Sequence, residues 1–118
     1  MKQNIIEIRT FQEETGLEDD NLMELYMAFS EEIQKEKENV KLFYHIENIQ
    51  GMIKTIHKIK GLSGNYRANK VYEISKEIEK ILKDNNLLKL NYYIQALIEL
   101  VEETVEEIEE HFCNSNIN

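Results

Sequence analysis

Residues 20–42 read DNLMELYMAFSEEIQKEKENVKL, and their spacing decides the class of fold. Leu22, Leu25, Tyr26, Phe29, Ile33 and Val40 recur at offsets of three, four and seven, which lines up one face of an α-helix. Glu24, Glu31, Glu32, Lys35 and Glu38 fall on the other face. The predicted element is an amphipathic helix from about Asp20 to about Leu42. Asp19 or Asp20 is its expected N-cap, and Asn39 with the aromatic pair Phe43-Tyr44 marks its expected exit. Glu31 and Lys35, acid first at i,i+4, add about 0.2–0.5 kcal/mol in isolated helices.

The pattern recurs on the C-terminal side. A second long helix is expected from about Glu47 to about Asn65, burying Ile49, Met52, Ile53, Ile56 and Ile59. A third, about Ala68 to Lys83, buries Val71, Ile74, Ile78 and either Ile81 or Leu82. After the turn Asp84-Asn85-Asn86, a fourth runs from about Leu88 to Phe112. Its buried set is Leu90, Tyr93, Leu97, Leu100 or Val101, Thr104, Ile108 and Phe112. On the N-terminal side, Thr15-Gly16-Leu17 is a break. Ile5, Ile6, Ile8 and Phe11 before it fit a short docking helix or an extended cap.

Four long amphipathic helices with short connections predict an all-α, antiparallel up-down-up-down four-helix bundle. The expected layout is one domain over 1–118: a cap at 1–15, the bundle at 16–112 and a frayed tail at 113–118. A chain of 118 residues is long enough for one core and too short for two. The absence of proline argues against a turn-rich β fold.

With a net charge of -9, the chain is a poor candidate for nucleic acid, whose phosphates call for a basic surface. One cysteine, Cys113, cannot form an intramolecular disulfide. Glu7 and Arg9 interrupt the N-terminal apolar cluster, so no signal peptide is expected, and no apolar run reaches the roughly 20 residues of a membrane span. A cytoplasmic location is the expectation. A bundle of this size can stand as a monomer, which is expected over a dimer.

Against this acidic background, residues 48–72 contain no Asp or Glu but hold Lys54, Lys58, Lys60, Arg67 and Lys70. Within that stretch His57, Lys60, Gly61 and Gly64 share one helix face, at offsets of three, four and seven. Each glycine costs about 1 kcal/mol relative to alanine in an exposed helix interior, so two within one turn ask for a reason. Gly64-Asn65 fits a C-terminal left-handed pair, and Gly61, a turn earlier, fits close approach of another molecule. The other histidines, His45 and His111, have no such company.

A phosphoryl-accepting histidine needs a free ring nitrogen, room for the incoming group and a nearby cation. His57, Gly61 and Lys60 supply these three parts. Metal binding fits poorly, because no second histidine lies at i+3 or i+4 and Glu-x-x-His does not occur. Ser63 lies off the face of His57, which disfavours a hydrolase, and no Walker or kinase loop could hold ATP.

The run His57-Lys58-Ile59-Lys60-Gly61-Leu62-Ser63 resembles the His-x-[Leu/Ile]-Lys-Gly-x-Ser/Ala core of histidine-containing phosphotransfer (HPt) domains of bacterial phosphorelays. Phe29-Ser30-Glu31-Glu32 resembles the phenylalanine-acid stretch of the preceding family helix, and Ala68 to Glu79, with Glu77 and Glu79, the helix that follows. The likeness covers about residues 16–112. It implies that His57 accepts the phosphoryl group through Nε2, that Lys60 assists it electrostatically and that Gly61 lets a receiver domain dock closely. Lys54, Lys58, Gly64, Asn65 and Arg67 are the expected partner-binding residues. The resemblance further implies no cofactor bound by this chain, with Mg²⁺ and the catalytic aspartate supplied by the receiver.

One departure stands out: the family usually has glycine where this chain has Arg67. Either Gly64-Asn65 takes over the turn, the helix junction lengthens, or Arg67 adds a second cation near the phosphate. The expected function is relay of a phosphoryl group between receiver aspartates, or from a hybrid sensor kinase to a response regulator. The alternative is a non-phosphorylated HPt-like adaptor or inhibitor that binds a receiver or kinase.

Overall fold

The computed structural model describes residues 5–116. Five α-helices follow one another: α1 (Ile8–Thr15), α2 (Asp19–His45), α3 (Ile49–Asn65), α4 (Asn69–Lys83) and α5 (Leu90–Asn116), with a single 3₁₀ turn at Leu87–Lys89 before the last. Among the described residues there is no strand. Successive long helices are joined by short connections, so each reverses on the one before. α2 packs on α3, α3 on α4, α4 on α5, and α5 returns to α2, closing a four-helix ring.

The core is the set of apolar stripes turned inward: Leu22, Tyr26, Phe29, Ile33 and Val40 from α2, Met52, Ile56 and Ile59 from α3, Val71, Ile78 and Leu82 from α4. From α5 come Leu90, Ile94, Leu97, Val101, Ile108 and Phe112. Ile94 takes the place expected of Tyr93, which is only half-buried. Ile49, Ile53, Ile74 and Ile81 likewise rim the core rather than fill it. Ser30, Thr55, Ser63, Ser75 and Thr104 are small polar residues buried among these stripes. The Ser63 hydroxyl donates to the Ile59 carbonyl at 2.7 Å, a bond back along its own helix.

Helix boundaries differ from expectation where side chains have tertiary duties. Neither Asp19 nor Asp20 caps α2; the N-cap is Glu18, without a side-chain bond. The Asp19 carboxylate instead accepts from Gln12 Nε2 of α1 at 2.8 Å, and both aspartates lie in the first turn, where the helix dipole favours them. α2 runs on to His45 because Phe43 and Tyr44 pack rather than end it. The Tyr44 hydroxyl donates to Asn91 Oδ1 at 3.1 Å. α3 is capped by Asn48, whose Oδ1 accepts from the Gly51 amide at 2.9 Å. At the C-terminal end α5 continues to Asn116. Ile117 and Asn118 of the expected tail, like residues 1–4 of the cap, lie outside the described residues.

α1 closes one end of the bundle. Phe11 stacks on Tyr66 at 5.5 Å and meets Tyr26 edge-on at 5.4 Å. The Glu7 amide donates to the Arg67 carbonyl, and the Ile6 amide to a Glu107 carboxylate oxygen. The Tyr26 hydroxyl donates to the Tyr66 carbonyl at 2.7 Å, and its burial pushes its pKa above the usual tyrosine value. The Glu7 and Tyr26 bonds converge on the α3–α4 turn, and the Ile6 bond ties the segment before α1 to α5. At the opposite end Leu42, Ile46, Leu88 and Tyr92 remain exposed.

Candidate functional site

His57 lies midway along α3 with its imidazole 73% exposed. It projects there because Ile56 and Ile59, on either side of it, point into the core. Across the groove stands α4, whose Ile78 is buried and whose Glu79, the next residue, is turned toward α3. His57 Nδ1 lies 2.8 Å from Glu79 Oε2, and Lys60 Nζ donates to Glu79 Oε1 at 2.7 Å. One carboxylate thus bridges the histidine and the lysine one turn on.

The bridge fixes the state of the ring. The hydrogen bond from Lys60 and, secondarily, the one from His57 hold Glu79 below the usual carboxylate range against partial burial, so it is ionised at neutral pH. Lys60 is pushed up by the same bond. An ionised carboxylate can only accept, so Nδ1 must carry the proton. In the neutral imidazole Nε2 is then the nitrogen with the lone pair.

Beside His57, a Cβ built on Gly61 would meet nothing within 4 Å. The space that residue leaves is open to the outside. Gly64 is different: a Cβ there would lie 3.2 Å from the Tyr72 ring, so this glycine lets α4 pack close to α3. Gly64-Asn65 does not form the left-handed pair expected of it, since α3 stays helical through Asn65. The left-handed residue of the turn is Arg67, at φ 62°. That is a conformation glycine adopts without steric strain, in keeping with the glycine that the resemblance implies at this position.

The expected partner-binding residues fall into two separate groups. Lys58 turns toward α2, 3.1 Å from Glu36 and 3.8 Å from Glu32. Burial works against ionisation of Glu36, but hydrogen bonds from Asn39 and Lys58 outweigh it and hold this acid below its usual range. Lys54 lies on the same flank, in a groove with Lys35 and Asn39. Asn65 and Arg67 sit at the far end of α3, eight and ten residues from His57, or about 12–15 Å of helix. The Arg67 guanidinium is held by Glu14 of α1 in a two-pronged bond, 2.9 Å on each side.

Two residues of the site escaped the periodicity. Glu79 belongs to α4, and a single helix pattern carries no information about which residue of the next helix it faces. Glu36 could have been found: it falls on the apolar stripe between Ile33 and Val40, an acid where a core residue is due. Among the described residues, no three His, Cys, Asp or Glu side chains converge as metal ligands, and no helix is long and apolar enough to cross a membrane.

Residues 24–111 match the Hpt domain family. No curated protein matches. Among solved structures, the chain is similar to the HPT domain from an Hpt sensor hybrid histidine kinase from Shewanella. The TM-score is 0.79, with 15% identity over 93% of this chain and 95% of that one. At that identity the likeness speaks for the fold, and the family match spans all of α3 and α4. The chain belongs to the Hpt domain family.

Proposed function

We propose that His57 is the phosphoacceptor of a phosphorelay, taking a phosphoryl group from a receiver aspartate or a hybrid sensor kinase and passing it to a response regulator. The observation that carries this reading is the exposed imidazole whose Nδ1 is bound to Glu79, which leaves Nε2 as the nucleophile.

In the forward step the Nε2 lone pair attacks phosphorus of the partner's aspartyl phosphate. The Nε2–P bond forms as the acyl P–O bond breaks, and the aspartate carboxylate leaves with the bonding electrons. The ring keeps its Nδ1 proton and becomes cationic, and Glu79 is already in place to balance that charge. Transfer onward is the reverse of this step on a second aspartate. Lys60, within reach as a point charge on a flexible stem, exchanges some of its contact with Glu79 for the phosphoryl oxygens. Gly61 leaves room for the partner's backbone. In this reading Mg²⁺ comes with the receiver, which is supported by a donor set around His57 of one carboxylate already bound to a lysine.

Pairwise transfer from phosphorylated receivers of the same cell tests the reading. The expected product is a phosphoprotein labile in acid and stable in base, formed quickly with a few receivers. An adaptor would bind receivers and stay unlabelled, and that result would replace this reading with the alternative one.

A further inference from the structure

The two flanks of His57 differ in charge. On the α2 flank Lys58 faces Glu32 and Glu36, while Lys54 forms no ion pair among the described residues. On the α4 flank a groove runs beside Ile53, His57 and Lys60 of α3 and is walled by Lys76, Glu79, Lys80 and Lys83 of α4. Its one carboxylate, Glu79, is occupied by His57 and Lys60. Lys76, Lys80 and Lys83 are exposed and form no ion pair among the described residues. Lys76 lies 5.7 Å from the centre of the Tyr72 ring. Their spacing of four and three places them on one helix face, which Glu73 borders at three residues before Lys76, with Glu77 farther round α4.

Helix stability accounts for Lys80 and Lys83, which lie in the last turn where the helix dipole favours cations, but not for Lys76, which meets Lys80 as a like charge at i,i+4. Solubility does not require the stripe either, since the chain already carries a net charge of -9. What unpaired cations beside a reactive group do is raise the local concentration of an acidic partner and orient it, by a factor of about 10–1,000 in association rate. The groove is continuous with His57, so whatever delivers phosphate to Nε2 overlies it.

We infer that the α3–α4 groove is a docking surface for an acidic face of the phosphoryl-bearing receiver, with Lys76, Lys80 and Lys83 setting encounter rate and partner choice. The identity of the occupant as a receiver rests on the relay reading above. The assignment shifts the electrostatic contacts from the α2 flank, where Lys54 and Lys58 lie, to α4.

The test compares the native chain with a triple reversal, Lys76→Glu, Lys80→Glu and Lys83→Glu, and with a milder triple change of the same lysines to Gln. Association with a panel of receiver domains from the same cell is followed at about 0.05 M and about 0.5 M salt, alongside the transfer rate at saturating receiver. The reversal is expected to slow association about tenfold or more at low salt, with a smaller loss for Gln, and the gap should close at high salt. The saturated transfer rate and the helix content should not change. Lys54→Glu with Lys58→Glu should have the smaller effect.

Equal association of native and reversed chains, with transfer to His57 intact, would overturn the docking assignment and leave the relay reading standing. Salt-dependent binding that needs the stripe, without transfer from any receiver, would uphold docking and overturn the relay. Absence of both binding and transfer overturns both.

Discussion

His57 Nδ1 and Glu79 Oε2 lie 2.8 Å apart, across the groove between α3 and α4. This contact joins a residue chosen by its neighbours in sequence to one that only the packing of helices could supply. It sets the tautomer of the ring, and the same carboxylate tethers Lys60. The proposed catalytic geometry therefore depends on the register of α4 against α3 as much as on the motif.

Glu79→Ala should slow phosphotransfer without disturbing the bundle. Hydrogen bonds to charged groups contribute about 1.5–3 kcal/mol, which corresponds to a roughly 10- to 100-fold slower single-turnover rate if the contact is felt fully in the transition state. Glu79→Gln keeps an acceptor for Nδ1 but loses the balancing charge, and should fall between the two. Single-turnover transfer with circular dichroism as the folding control checks this; a normal rate in Glu79→Ala would remove its positioning role.

Lys60→Ala should also slow transfer while the helices stay formed. Its ammonium leaves a contact with Glu79 and not a place in the core. A large loss of helicity would contradict that assignment.

The glycines of α3 predict stability changes of opposite sign. Gly61→Ala gains helix propensity at an open position and should stabilise the chain by up to about 1 kcal/mol. Gly51→Ala would bring a Cβ to 2.6 Å from the Phe43 ring, and the overpacking, typically about 1–3 kcal/mol, should outweigh the same propensity gain. Thermal or denaturant unfolding distinguishes the two. A bulkier change, Gly61→Gln, should leave stability near native and slow transfer, because the space it fills is the partner's.

Acid should destabilise the fold in two stages. Burial, with Arg9 nearby, lowers the His111 pKa below 6.5 in the folded state, so the unfolded chain binds more protons as pH falls through that value. Glu36 and Glu79 are held below 4.5, so the stability they contribute is present above that pH and is lost as it falls further toward their folded values. Unfolding midpoints measured from pH 7 down to about 3 should decline along both limbs. Glu36→Gln should flatten the lower limb and leave the upper one unchanged.

Much of the architecture was legible because burial on a helix writes a period of 3.6 into the sequence. Leu22 to Val40 and Val71 to Leu82 show it plainly. The His57, Lys60 and Gly61 face was legible for the same reason, since its members share one helix. What the period cannot encode is the rotation of one helix against another, which is why Glu79 and the Phe43–Gly51 contact emerged only in three dimensions. Local capping rules misplaced the start of α2 because Gln12 engages the side chain of Asp19. Arg67 was anomalous by sequence and became intelligible through its φ and its grip on Glu14, two properties of a turn pinned from outside by α1.

The most direct test of the central claim is transfer of labelled phosphate from a phosphorylated receiver to the native chain and to His57→Gln, under identical conditions. The account predicts acid-labile, base-stable label on the native chain and none on the variant, with both proteins equally helical. Undiminished labelling of His57→Gln would contradict it.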